Sequence, residues 1–179
     1  MIAIRPAEAA DVPLILQFIR ELAIYEREPT AVVATEADLL RDGFGPSPRF
    51  HALLAEHDGM AAGFAFYFFV YSTWRGRPVL HLEDLFVPPS QRKKGIGIAL
   101  MRRLARIAVD ASCARFVWQV LDWNEPAIGF YRSLGAEILP QWQNVRIEGE
   151  ALSRLAEGSS AGSTGAPPPG KNPVPSARE

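Results

Sequence analysis

Apolar spacing along the chain switches between a period of two and a period near 3.6. "IAIRPA" predicts a short first strand. Leu14, Phe18 and Leu22, with Ile15 and Ile19 beside them, then recur at helical intervals to about Ala23, and Asp11 stands where it can cap that helix. A second helix is expected from "TEADLL", with Thr35 at N-cap and Asp38 at N3, a shorter version of the usual Glu or Gln partner. "DGFGPSP" ends it. Three strand-like runs follow, "FHALLAE", "MAAGFAFYFFVY" and "PVLHLEDLFV". The first two are joined at Asp58-Gly59, a short hairpin signal, and the last two by "STWRGR", so an antiparallel meander is expected.

After "PPS" the period lengthens again. A helix is predicted over about 95–111, with Ile98, Met101, Leu104, Ala105 and Ala108 facing inward. "ARFVWQVLD" reads as a strand and "NEPAIGFYRSLGA" as a helix stopped by Gly135. "EILPQWQNVRIEG" reads as one more strand or hairpin arm, and "GEALSRLA" as a short last helix. From Glu157 to Glu179 the chain is rich in Pro, Gly and Ser with almost nothing to bury, the composition of a disordered tail. The expectation is a single α/β domain over residues 1–156 (α+β by some schemes), a mixed central sheet with helices on both faces.

Composition narrows the functions. With 179 residues, 48% of them hydrophobic, the chain has enough material for one sizeable core. A formal charge of -1 encodes no general preference for nucleic acid or an anionic membrane, so any basic site must be local. The single cysteine, Cys113, excludes an intrachain disulfide framework and a cysteine zinc site, and is expected to be a small structural residue. No metal is expected. The start, "MIAIRPAEAADVP", has no apolar run behind a basic head, and the most apolar window, "MAAGFAFYFFVY", is well short of the roughly 20 residues a spanning helix needs. A soluble cytoplasmic protein is expected.

Three strings carry candidate chemistry. In "QRKKGIGIAL", Arg92, Lys93 and Lys94 precede Gly95 and Gly97 at a helix start. Leu100 stands where a dinucleotide loop has its third glycine, and the Gly-Lys-Ser/Thr ending of a nucleoside-triphosphate loop is missing. What remains is an anion seat: unpaired N–H groups of the first turn, glycines that permit close approach, and cations at the end of the helix dipole that favours negative charge. A solvated basic turn explains the same residues. In "HLEDLFV", strict alternation places His81, Glu83, Leu85 and Val87 on one face and Leu82, Asp84 and Phe86 on the other. A carboxylate pair in so apolar a strand is costly to bury without partners, and Glu83 is expected to have a raised pKa suited to a base, although an ordinary exposed strand fits too. In "VLDWNEPAIGFYRSLGA", Asn124 opens a helix with Tyr131 two turns on. Its hydroxyl can donate a proton or simply meet a backbone carbonyl.

Together these strings resemble the GCN5-related N-acetyltransferase (GNAT) superfamily. Its R-x-x-G-x-G is Arg92-Lys93-Lys94-Gly95-Ile96-Gly97, after "LEDLFV", and its N-E-P-A-x-x-F-Y-x-x-x-G-A signature runs from Asn124 to Ala136. "IRELAIYE", "DGFG", "FYFFVYSTW", "HLEDLFV" and "VLDWNEPAIGFY" extend the resemblance to the diamine acetyltransferase branch, the spermidine/spermine and thialysine acetyltransferase-like proteins. The resemblance implies acetyl-CoA as cosubstrate and direct transfer to a small primary amine. Backbone at Leu85 and Val87 would pair with the pantetheine arm, and Arg92, Lys93, Gly95, Ile96 and Gly97 would hold the pyrophosphate. Asn124 would contact the cosubstrate near the thioester, and Tyr131 would protonate the departing thiolate. Glu83 matches the water-linked general base, and Tyr25, Glu26 and Asp84 the amine-recognition side. The resemblance also implies a homodimer, with C-terminal strand material packing across subunits.

One departure bears on the acceptor. Some polyamine-selective members carry an acidic residue in the turn that reads "YSTWRGR" here, where Ser72 stands with Arg75 and Arg77 nearby. The resemblance therefore leans toward an amino-acid-like or short diamine acceptor, with Arg75 and Arg77 either carboxylate partners or simply solvated charges of the turn. Spermidine or spermine, a protein amine, or a noncatalytic acyl-CoA-binding module remain the alternatives.

Overall fold

The computed structural model describes residues 1–158, so nearly all of the expected tail lies outside the described residues. The chain divides into two compact units, Met1–Ile128 and a second beginning at Gly129.

The first unit is built on a five-stranded sheet: β1 (Ile2–Pro6), β2 (His51–His57), β3 (Met60–Ser72), β4 (Arg77–Phe86) and β5 (Arg115–Trp118), adjacent in that order. The first four strands pair antiparallel, as the meander predicts, and β5 runs parallel to β4. Asp58 and Gly59 both have positive φ, 54° and 79°, the backbone of a type I′ turn whose twist suits the β2–β3 hairpin.

Two helices cover one face. From α1 (Val12–Tyr25), Ile15, Leu16 and Phe18 pack with Leu39 of α2 (Glu36–Phe44) onto Phe50, Leu54, Phe64 and Phe86. Phe18 stacks on Phe64 with ring centroids 5.6 Å apart. The α2 cap forms as expected: the Asp38 N–H donates to Thr35 Oγ1 at 3.2 Å, and the Thr35 N–H to Asp38 Oδ2 at 3.0 Å. Asp11 departs from expectation. Its carboxylate accepts two bonds from Arg5, at 2.7 and 2.9 Å, and no side-chain cap bond forms at α1. A paired guanidinium attracts an ionised carboxylate more strongly than a neutral N–H does.

The opposite face carries α3 (Ile96–Asp110), which buries Ile96, Leu100, Leu104 and Ala108 on one i, i+4 row, with Met101 beside it. Ala105, expected inward, is exposed, and Ile98 is half-buried. The row that starts at Ile96 carries the larger side chains, so it takes the sheet. Gly63 shows how tightly this face closes. A Cβ there would lie 2.7 Å from the Phe86 carbonyl oxygen and 3.4 Å from Ile96 Cγ2. Gly63→Ala is therefore expected to push the end of β4 outward and to destabilise the fold by about 1–3 kcal/mol. Thermal unfolding will read this as a lowered Tm; an unchanged Tm counts against so close a contact.

Helix α4 (Glu125–Ser133) starts in the first unit and ends in the second, stopped as predicted at Gly135, whose φ is 82°. Residues 137–148 form no strand among the described residues, contrary to expectation, and α5 (Gly149–Ala156) follows. Val145 is 93% exposed and Trp142 70%. Apolar alternation makes a strand only where a sheet edge accepts its backbone.

Candidate active site

Strand β4 determines the site, and its register differs from simple alternation. Phe68 pairs with His81 and Tyr67 with Leu82, but Phe66 pairs with Asp84, which leaves Glu83 as an extra, bulged residue. The phase shifts there. His81, Asp84 and Phe86 share the α1 face, opposite Phe68, Phe66 and Phe64, whereas Leu80, Leu82 and Leu85 lie on the α3 face. The expected grouping of His81 with Leu85, opposite Asp84, is corrected by this bulge.

The bulge coincides with a second break. Parallel pairing of β5 covers only Val79 to Leu82 of β4, so β5 is shorter than "ARFVWQVLD" suggested. A bulge bends its strand and adds twist, which carries the end of β4 away from β5. From Asp84 to Phe86 the strand is paired on the β3 side alone, and among the described residues no strand pairs its other edge there. Leu85 and Val87, at this open end, are both half-buried.

Beyond it the chain reaches the start of α3. Gly95 has φ 84°, a left-handed conformation that favours glycine, and the Ala99 N–H donates to its carbonyl at 3.1 Å. Lys93, Lys94 and Gly95 are exposed, Gly97 is half-buried and Ile96 is buried beneath them. Arg92 does something the motif alone does not tell. Its Nε donates to the Val87 carbonyl at 3.0 Å, and its guanidinium lies 4.6 Å from the Tyr25 ring centroid. It ties the end of β4 to the end of α1.

Tyr25 joins these parts to α4. Its hydroxyl donates to Asn124 Oδ1 at 2.9 Å, and the same oxygen accepts the Ala127 N–H at 3.4 Å, which caps the helix. Asn124 is buried, and with its oxygen engaged the amide NH2 is what it can offer a ligand. The Tyr25 and Trp123 rings lie 6.1 Å apart.

The carboxylates divide their environments. Asp84 is half-buried, and burial, with the nearby Glu83 and Glu26 charges, pushes its pKa up to about 7. Burial also raises Glu26. Glu83 is 54% exposed, with Oε2 3.4 Å from Nε2 of His81, whose ring stacks on Phe68 at 4.8 Å. Of the strand pair, Asp84 is thus the enclosed carboxyl and Glu83 the solvent-facing one. Sequence alternation assigned the perturbed group to Glu83. The bulge makes it Asp84.

Tyr131 belongs to the second unit, half-buried, with its ring 5.4 Å from that of Phe130. Arg75 and Arg77 lie at the far end of the β3–β4 hairpin. Arg77 is separated from Asp84 by roughly 20 Å of strand, too far for one small amino acid to span. Burial raises the Cys113 thiol, which suits a structural residue and not a nucleophile. Among the described residues no group of side chains has a metal-ligand arrangement, and no helix is long and apolar enough to cross a membrane.

An open strand edge leading to a glycine helix start, with an enclosed carboxylate on the neighbouring face, offers backbone pairing for an extended ligand, a seat for an anion and a place for a cation. The Acetyltransferase (GNAT) family matches residues 16–136, and the chain belongs to it as an N-acetyltransferase. It is 41% identical over 166 residues to thialysine N-epsilon-acetyltransferase of Sus scrofa, covering 87% of this chain and 97% of that one. It is 40% identical over 163 residues to spermidine/spermine N(1)-acetyltransferase-like protein 1 of Homo sapiens, covering 86% of this chain and 23% of that one. Among solved structures, an integron cassette protein from V. cholerae superposes with a TM-score of 0.74 at 29% identity, over 87% of this chain and 98% of that one. An aminoglycoside acetyltransferase from a soil metagenome shares the fold, with a TM-score of 0.70 at 17% identity over 82% and 97% of the two chains.

Proposed function

We propose that the protein transfers the acetyl group of acetyl-CoA directly to a primary amine of a small diamine or a thialysine-like amino acid. The observation that carries this reading is Asp84, enclosed beside Glu26 on the face next to the open edge of β4. The thialysine acetyltransferase named above supports the acceptor class.

The residues present fit the cosubstrate. Backbone at Leu85 and Val87 would pair with an extended arm, although the Val87 carbonyl is already held by Arg92, which leaves its N–H for that purpose. Lys93 and the N–H groups at Gly95, Ile96 and Gly97 would meet the diphosphate. Arg92 would act from the strand end it ties down. When bound, acetyl-CoA supplies an activated acetyl thioester. The NH2 of Asn124 would orient the group that reaches it, and the Tyr131 hydroxyl, placed by the family signature, would give up the proton that the leaving sulfur takes.

On the acceptor side the difficulty is protonation. A primary amine has a pKa near 10.4, so its neutral form at pH 7 costs roughly 4 to 5 kcal/mol. Asp84 and Glu26 would draw in the cation, with Tyr25 ordering the wall beside them. Glu83 would then accept the proton, directly or through water, from the solvent side. No protein nucleophile is needed, because alignment of two bound reactants supplies several kcal/mol.

We further propose one acetyltransferase domain over residues 1–156, a cytoplasmic location, and a homodimer. The exposed Trp142 and Val145 support the last, as apolar groups left for a second copy. An acceptor panel of thialysine, L-lysine, putrescine, spermidine and spermine tests the reaction by CoA release and product mass. Turnover with thialysine or a short diamine is expected to exceed that with spermine. Tight acetyl-CoA binding with no acceptor raising thiol release above buffer would leave a binding module instead.

A further inference from the structure

Helix α1 ends in an arrangement that favours glycine but holds arginine. The Glu28 N–H donates to the Ala23 carbonyl at 2.8 Å, and the Arg27 N–H to the Ile24 carbonyl at 3.1 Å, the two bonds of a Schellman stop. In that motif the residue after the cap adopts a left-handed backbone, and Arg27 does so with φ 69°. A β-carbon there is unfavourable, and the helix dipole, the one local reason for a cation at this end, gives none for the place its side chain takes.

Its surroundings do. The Arg27 guanidinium lies 4.3 Å from the Trp123 ring centroid, although 96 positions separate the two in sequence. Trp123 precedes Asn124 and faces Tyr25, so this cation stands against the wall of the acceptor side, one residue from Glu26. A guanidinium laid on an aromatic ring uses its face for the stack, and all its N–H donors still point outward in its plane. That presentation matches the fork of a carboxylate. Arg92, the other cation on these rings, is bound to the Val87 carbonyl, and Arg75 and Arg77 lie at the far end of the hairpin.

We infer that Arg27, laid on Trp123, binds the carboxylate of an α-amino-acid acceptor whose distal amine lies at Glu26 and Asp84. This rests on the acceptor reading given under Proposed function and makes it narrower: a lysine-like substrate is held at both ends, a diamine at one. The two ends of such an acceptor are roughly 7 Å apart by standard bond lengths, a span suited to neighbouring residues at one helix end. Tyr25 and Trp123 form the apolar wall for the methylenes between them. A long polyamine has no group for Arg27 and is repelled by it, so the same residue selects against spermidine and spermine.

L-Lysine and cadaverine share the distal amine and its methylene chain and differ by the carboxylate, so their binding isolates this contact. Calorimetric titration with CoA at saturation is expected to show L-lysine bound at least about tenfold more tightly than cadaverine by the wild type, as a charge-assisted hydrogen bond contributes. In Arg27→Gly that difference should vanish, L-lysine losing affinity and cadaverine holding it or gaining up to a few-fold as the like charge is removed. Glycine is the preferred residue at this position, so Tm should hold or rise, which separates lost recognition from lost folding. Arg27→Lys should keep part of the preference, and Trp123→Leu, which removes the wall as well as the stack, should weaken both ligands, L-lysine the more. Equal binding of the two ligands by the wild type, a preference that survives in Arg27→Gly, or a parallel loss for both ligands in Arg27→Gly would overturn the assignment. Because binding is read without turnover, failure of acetyl transfer strikes the proposed reaction and leaves the Arg27 contact to be judged by this ratio.

Discussion

Glu83→Gln and Tyr131→Phe are each expected to lower kcat by roughly 100- to 1000-fold, the range for removal of a general base or acid. Glutamine keeps the shape of the bulged side chain and its place beside His81 but cannot take a proton from an ammonium group. Phenylalanine keeps the ring against Phe130 and loses only the hydroxyl. Neither change empties a core, so Tm should move by no more than a few degrees. Steady-state rates with a saturating amine and acetyl-CoA, beside thermal unfolding of the same preparations, test this directly. Wild-type turnover in either variant removes that residue from its assigned role.

The second large effect concerns Asp84 and pH. Its folded pKa, about 7, lies above the ordinary value of 3.8, so the folded protein holds a proton there that the unfolded chain releases. Stability tied to this group is fully present below pH 4 and is lost as pH rises through about 7. Asp84→Asn should therefore stabilise the free protein at pH 8 by on the order of 2 to 4 kcal/mol and by almost nothing at pH 4. Denaturant melts at the two pH values read the difference. The wild-type KM for amine should fall as pH rises through 7, because ionised Asp84 attracts the cation, and this slope should flatten in Asp84→Asn. Equal stabilisation at both pH values would show that the carboxyl is not held neutral. Its burial would then have no electrostatic cost, and a merely steric account would suffice.

These two experiments separate residues that stand side by side in "HLEDLFV". In the proposed reaction Glu83 moves a proton and Asp84 holds a cation. A bulge of one residue makes that division, since unbroken alternation from His81 would put Glu83 on the α1 face and turn Asp84 to the other.

Much of this was present in the chain before any folding. Apolar periodicity determined the meander, α1, α2 and α3, because a strand or helix must put its apolar stripe on one side whatever it packs against. Local chemistry determined the Asp58-Gly59 turn, the Thr35 cap and the Gly135 stop, each formed within a few residues. The glycine loop and the Asn124 to Ala136 signature identified the family, as the match over residues 16–136 confirms. Tertiary structure alone decided the rest. Register between β3 and β4 turned Asp84 to the α1 face, since pairing with Phe66 is a long-range matter that alternation within β4 cannot express. Lack of a partner strand left residues 137–148 irregular despite their pattern. Closure of α1 against the start of α4 brought Tyr25 to Asn124 and Arg27 to Trp123, contacts across nearly a hundred positions. A left-handed arginine on a tryptophan ring is a relation between two distant parts of the backbone, and no stretch of sequence contains both.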